Sequence, residues 1–272
     1  MQEEKFIRNG YFPKELPPPF YTEQMADNLD DIKAQWTTIF NQETTRNSGE
    51  SGSDFKLRKG DFINKYSSSK CWKFNISKGK LSRRPLEVPN PKHFIKVAEL
   101  ISEKWSDFQT IFKSSKFSTS YPIEETNSNK RAVKTSSKNV SDLRERILES
   151  SVNKLIQVKL DISKFYPTIY THIIPWSWIG KEQSKKYFKM TKVDFQVELA
   201  ANEPLALGYE YSNKLDNAIR ACQDKQSVGI PIGPDTSHIL SELIACKIDE
   251  EFAVTYPQRQ KAVDTMMTII FL

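Results

Sequence analysis

The sequence has 272 residues, 38% hydrophobic and 11% aromatic, which is enough apolar material for one large domain or two small ones and excludes a disordered chain. Its net charge of +6 points mildly to a polyanionic partner, because Lys and Arg bind phosphate by releasing counterions. No apolar run approaches the roughly 20 residues that span a bilayer, and the start Met-Gln-Glu-Glu-Lys is not a basic-then-apolar leader, so no membrane association and a cytoplasmic location are expected.

Cys71, Cys222 and Cys246 form no CxxC pair, and His93, His172 and His238 lie far apart, which argues against a disulfide framework and against a zinc site. In chain order, residues 11–20 (Tyr-Phe-Pro-Lys-Glu-Leu-Pro-Pro-Pro-Phe) are kept extended by their prolines. Thr22 is placed to cap a helix to about Phe40, with Met25, Leu29, Ile32, Trp36 and Ile39 on one face. Residues 41–54, rich in Asn, Ser, Thr and Gly, read as a loop. Alternation over 71–76 predicts a strand, and Arg84-Pro85-Leu86-Glu87-Val88-Pro89 a second, edge-type strand bounded by prolines.

Helical spacing of Phe94, Val97, Leu100 and Ile101 predicts a helix over 92–105. A polar, basic stretch over 113–140, carrying Lys130, Arg131, Lys134 and Lys138, leads to a helix over 141–150. Residues 155–162 form a short apolar strand ending in a carboxylate, and 191–225 read as helical. The run Gly229-Ile230-Pro231-Ile232-Gly233-Pro234 forces a turn. Asp235 or Thr236 then starts a long amphipathic helix through Ile239, Leu240, Leu243, Ile244 and Ile248. There is no internal repeat.

Two segments carry chemistry. In Val158-Lys159-Leu160-Asp161-Ile162-Ser163-Lys164-Phe165-Tyr166-Pro167-Thr168-Ile169 a strand delivers Asp161 at its end. Phosphoryl transfer needs little covalent help beyond carboxylates that hold Mg²⁺ against the attacking and leaving oxygens. A lone strand-end Asp is more often a cap, so Asp161 alone would not decide the matter. In the second segment, 226–237, glycines beside prolines let the backbone approach a flat ligand, where an ordinary loop opening a helix would not need that density.

Together the two segments resemble reverse transcriptases. The wording Phe-Tyr-Pro-Thr-Ile-Tyr-Thr-His and Gly-Ile-Pro-Ile-Gly-Pro-Asp-Thr-Ser is similar to the bacterial defence-associated, abortive-infection group, as are residues 11–20 and Arg84-Pro85-Leu86-Glu87-Val88-Pro89-Asn90-Pro91 before His93-Phe94. The resemblance spans most of residues 11–250 and implies an α+β fold: fingers and a partial palm, whose antiparallel sheet has helices packed on one face. It divides the chain into an N-terminal extension (1–60), a fingers-like region (61–150), a partial palm (151–263) and a tail (264–272).

The same resemblance makes Asp161 the first catalytic ligand of Mg²⁺, with the Ile162 carbonyl as an added contact. Tyr166 stands at an aromatic gate against the ribose 2′-OH. Arg131, with Lys130 or Lys134 nearby, is the candidate grip on the triphosphate, since its fork donates two hydrogen bonds to phosphate; a solvated basic loop is the competing reading. Gly233 falls beside the nucleotide, and Ile232 stands where many members have Gln. The implied partners are an RNA template or DNA product and deoxynucleoside triphosphates, and the implied role is defence against phage. The oligomeric state, a homo-oligomer included, stays open.

Known members also need Tyr-x-Asp-Asp on a hairpin beside the first Asp. Here the chain reads Val263-Asp264-Thr265-Met266-Met267-Thr268-Ile269-Ile270-Phe271-Leu272. Met-Met-Thr is ATG ATG ACN, and the frame beginning at each third base contains GAT GAC, Asp-Asp, preceded by NAT (Tyr, His, Asn or Asp) and, before that, by Tyr or His. The expectation is therefore a frameshift at or shortly before Asp264, an out-of-frame tail left as an unpaired sticky edge, and a polymerase inactive in this form. The alternatives are a non-catalytic nucleic-acid-binding protein that kept the fold, or a pseudogene product.

Overall fold

The structure, a computed structural model, describes the chain apart from residues 17–19, 116, 119, 128, 137–139, 153–157, 256–262, 266–267 and 272. It is an α+β fold in which helices predominate and the strands form small antiparallel sheets. Among the described residues no helix is long and apolar enough to cross a membrane.

The N-terminal helix α1 (Glu3–Asn9) buries Phe6 and Ile7 completely. The predicted helix from Thr22 is broken into α2 (Glu23–Asp27) and α3 (Leu29–Thr44) at Asn28. Thr22 caps neither; its hydroxyl donates to the carbonyls of Ile7 and Arg8, at 2.5 and 2.8 Å, and ties α2 to the end of α1. The predicted loop over 41–54 is shorter than expected, because α3 runs to Thr44 and α4 (Gly52–Tyr66) begins inside it. The Ser51 hydroxyl accepts from Asp54 N–H to start α4, and Arg58 reaches both Glu43 and Glu50. No residue of α4 is buried, so it lacked the apolar stripe that reveals helices in a sequence.

The two predicted strands are present as β1 (Trp72–Lys78) and β2 (Ser82–Val88), and they pair antiparallel with Trp72 opposite Val88. α5 (Pro91–Glu103) follows, started by the Asn90 side chain accepting from Lys92 N–H and by Pro91 at its first position. A further helix, α6 (Trp105–Ser114), buries Trp105, Phe108 and Phe112. The basic stretch beyond it contains a short hairpin, β3 (Pro122–Glu124) with β4 (Val133–Thr135), before α7 (Val140–Ser151). β5 (Val158–Asp161) leads into α8 (Phe165–Thr168), α9 (Ile173–Ile179) and α10 (Lys181–Lys189), then α11 (Lys192–Ala200) and α12 (Pro204–Ala221).

The last helix, α13 (Asp235–Thr255), departs from the expected amphipathic pattern. Every residue from 239 to 244 is buried, so its first half is enclosed on all sides, with α6 and α9 among its neighbours. The tail is not an unpaired edge: β7 (Thr268–Phe271) lies between β5 and β6 (Val263–Thr265) as the central strand of a three-stranded antiparallel sheet.

One apolar cluster joins residues of the first three expected regions: Phe6, Ile7 and Tyr11; Phe94, Ile101 and Phe108; Leu215, Ile219 and Leu240. Each such fully buried side chain contributes about 1.5–3 kcal/mol. Two histidines make this core sensitive to acid. Burial pushes His93 and His238 down to about 4, from an ordinary value of 6.5. Both stay neutral in the fold while the unfolded chain takes up protons, so their contribution is complete above pH 6.5 and is lost as the pH falls toward 4. The melting temperature should drop steadily through that window, and a His93→Gln, His238→Gln protein should show a flatter profile.

Candidate functional site

The sequence segments singled out above come from four places in the chain, and they meet at the turn 226–235. The stretch after Asp161 is laced to it by backbone hydrogen bonds. Gly229 N–H donates to Ile169 O at 2.7 Å, Ile230 N–H to Tyr166 O at 3.0 Å, and Thr171 N–H to Ser227 O at 2.9 Å, with a bridge between Tyr170 and Val228. Gly229, at φ +91, lets the turn close on Pro167, whose carbonyl oxygen would lie 3.3 Å from an added Cβ.

Strand β2 binds the same turn from another side. Glu87 N–H donates to Ile232 O at 2.9 Å, and its carboxylate accepts from Ile232 N–H at 3.3 Å. The Tyr-Phe-Pro segment closes a third side: Tyr11 donates its hydroxyl to Pro89 O at 2.5 Å, and Asp235 N–H donates to Gly10 O at 2.8 Å.

Arg131 completes the convergence. Its Nε donates to Asp235 Oδ1 at 2.9 Å, and its other nitrogens reach the same oxygen, Phe12 O and, at 3.2 Å, Gly233 O. Asp235 Oδ2 accepts from the N–H groups of Ala132 and Val133, at 3.0 and 3.3 Å. Burial pushes the Asp235 carboxyl up, and Arg131 with the two backbone N–H groups opposes that rise. The guanidinium thus locks the β3–β4 hairpin to the start of α13, so in this arrangement it is engaged by protein acceptors rather than held out for a triphosphate.

Gly233 sits at φ +130 against Pro13. An added Cβ would lie 2.7 Å from Pro13 Cβ, so the proline segment packs directly against the turn. Gly233→Ala should cost about 1–3 kcal/mol in a urea melt, since strained backbone and a clash add. Gly49→Ala is the comparison: Gly49 has φ +79 with nothing within 4 Å, and should lose only the backbone term.

Asp161 is the last residue of β5, and the chain reverses through Lys164, a non-glycine residue at φ 52 and ψ 43. Tyr166 is partly buried against the core, with its hydroxyl 3.3 Å from Ser241 Oγ on α13. Ile162 is 36% exposed beside it. In the three-stranded sheet Asp161 lies opposite Thr268, which lies opposite Thr265; Leu160, Ile269 and Asp264 form the neighbouring row.

A two-ion magnesium centre needs carboxylates from more than one strand. The Asp161 row carries one carboxylate and two threonines, and Asp264 falls in the neighbouring row. Among the described residues no group of three or more His, Cys, Asp or Glu is placed to hold a metal ion.

The structure therefore brings Tyr166, Ile232, Gly233 and Arg131 to one turn, with Asp161 at the head of the segment laced to it. Sequence reading missed Asp235 as the anchor and Glu87 as the clamp on Ile232. The Asp235 signal was visible, as a cap-type residue after Gly-Pro, but its arginine partner is 104 positions away in the chain. Compared with family models and with curated proteins, the sequence finds no match in either.

Proposed function

We propose that the chain is built on the scaffold of a reverse-transcriptase-type DNA polymerase, of the defence-associated kind its motifs resemble, and that in this form it binds nucleic acid without extending it. In this reading the β1–β2 and β3–β4 hairpins belong to the fingers, and the β5-β7-β6 sheet belongs to the palm. Asp161 is the first carboxylate, Tyr166 the gate against ribonucleotides, and the Gly229–Asp235 turn the support beneath template and nucleotide. Deoxynucleoside triphosphates and an RNA template are the ligands, and Mg²⁺, once its other carboxylates are supplied, is the ion that stabilises the transferred phosphoryl group. The role is defence against phage.

The observation that carries this reading is the convergence of four sequence-distant motif segments on one turn, through the Tyr166–Ile230, Gly229–Ile169, Glu87–Ile232 and Arg131–Asp235 bonds. The strand register adds support. Codons in the alternative frame centre Asp-Asp on positions 267 and 268, and position 268 is the one opposite Asp161. The test is primer extension by the frame-restored protein, with Asp161→Ala as its control. Incorporation that survives the alanine change removes Asp161 from the chemistry. Nucleic-acid binding by the restored protein with no incorporation replaces the polymerase with a binding module.

A further inference from the structure

A second site lies beyond the turn, in residues to which the polymerase reading assigns no role. A hollow of about 460 Å³ opens between α9, α10 and α12. Its walls carry the rings of Tyr170, Trp176, Phe188 and Tyr209, and its rim carries Lys185, Lys189 and Arg220. At its edge His172 is held by a carboxylate deep in the protein: Nδ1 lies 2.6 Å from Asp216 Oδ2, and Asp216 is fully buried. A carboxylate only accepts, so Nδ1 carries the proton and Nε2 is left for a ligand. The His172 side chain lines the hollow and keeps 36% of its surface exposed.

Three features mark the hollow as more than a gap in packing. Asp216 Oδ1 and Arg220 Nε are both buried and have no hydrogen-bond partner among the described residues, in a fold where such groups are normally satisfied. Phe188 is 80% exposed on a helix whose other exposed residues are all polar or charged. Lys189 shares its helix with Lys181, Lys185 and Lys186, and Lys185 and Lys189 make this edge of the hollow cationic. A ring held in water costs free energy that a ligand would recover, and the lysines beside it offer charge to an anionic one.

We infer that this hollow takes one unpaired base together with its phosphate, from a single strand of nucleic acid. Aromatic faces accept any base by stacking, and the cationic rim tracks the backbone, which is how strands are held without sequence preference. His172 Nε2 adds a hydrogen-bonding atom, oriented by Asp216. The volume suits one nucleotide, well within the range of small-ligand sites. An acidic peptide would satisfy the cations but leave the ring faces without a stacking partner. The inference stands on the hollow itself and does not require the polymerase reading.

The test is fluorescence anisotropy of labelled oligothymidylate and oligouridylate with the full chain. Phe188→Ala removes an exposed ring, so the fold is retained, which circular dichroism checks; the affinity should fall about tenfold. Lys185→Ala with Lys189→Ala should reduce the slope of log affinity against log salt by about 0.7, the value for one phosphate contact on a single strand. Competition by thymidine monophosphate at the same base concentration distinguishes the source of the ligand: weak competition supports a strand, and competition equal to the oligonucleotide's overturns the strand in favour of a free nucleotide. Unchanged affinity in Phe188→Ala, or displacement by polyglutamate as effective as by the oligonucleotide, overturns the inference. Primer extension remains a separate readout, so failure of one reading is not confused with failure of the other.

Discussion

Restoring the alternative reading frame across residues 264–268 should switch on deoxynucleotide incorporation, and Asp161→Ala should then lower it by about a thousandfold. The magnitude follows from the several kcal/mol of transition-state charge stabilisation that a catalytic metal supplies, at 1.36 kcal/mol per factor of ten. The restored frame centres two aspartates on positions 267 and 268, and the latter faces Asp161 across the β5–β7 pair. The measurement is primer extension with Mg²⁺ on an RNA template and, in parallel, without template. The chain as given should incorporate nothing above background, because its Asp161 row pairs that carboxylate with threonines. Equal activity of the given and restored proteins would show that the residues at 267–268 are not part of the chemistry. Sequence of the gene downstream gives an independent check, since the frameshift idea requires further coding sequence in the other frame.

Asp235→Ala should destabilise the fold by about 3 kcal/mol, the lower end of what breaking a buried ion pair costs. The lower end applies because Arg131 keeps 29% of its side-chain surface exposed, whereas Asp235 keeps 8%. The loss has two parts. The guanidinium is left with carbonyl acceptors only, and the N–H groups of Ala132 and Val133 lose their acceptor in a buried place. Against a total stability of typically 5–15 kcal/mol this is a large fraction, readable as a lower urea midpoint with an unchanged slope. Combining Asp235→Ala with Arg131→Ala should cost less than the sum of the two single changes, because removing both partners leaves no orphaned charge. Additive losses, or a single loss below about 1 kcal/mol, would show that the pair does not hold the β3–β4 hairpin to α13.

The legibility of this chain followed its apolar periodicity. β2, α5 and α12 were readable because their buried residues recur at the spacing of a strand or a helix, and β1 because Phe74 and Ile76 alternate as half-buried positions. α4 was not, because it buries nothing and depends instead on the Ser51 cap and the Arg58 network. The break at Asn28 was hidden by an apolar stripe that continued through it. The tail looked like an unpaired strand because its partner, β5, lies more than a hundred residues away. Burial on all sides made α13 differ from its amphipathic pattern: Ser241 and Glu242, polar in the sequence, are both enclosed.

The amino-acid order by itself determined the chemistry on offer: a strand-end carboxylate, a Gly-Pro turn, a basic stretch and a proline-rich lead segment, the turn and the lead segment set by local backbone preference. Tertiary structure decided which of these meet, because hydrogen bonds such as Glu87 to Ile232 and Arg131 to Asp235 join residues separated by 145 and 104 positions. It also decided that Arg131 is spent on an aspartate, that Pro13 covers Gly233, and that His172 stands over a buried Asp216 at a ring-lined hollow. Local sequence fixes backbone conformation within a few residues, whereas the pairing of distant groups depends on how the core closes, and no spacing along the chain records that.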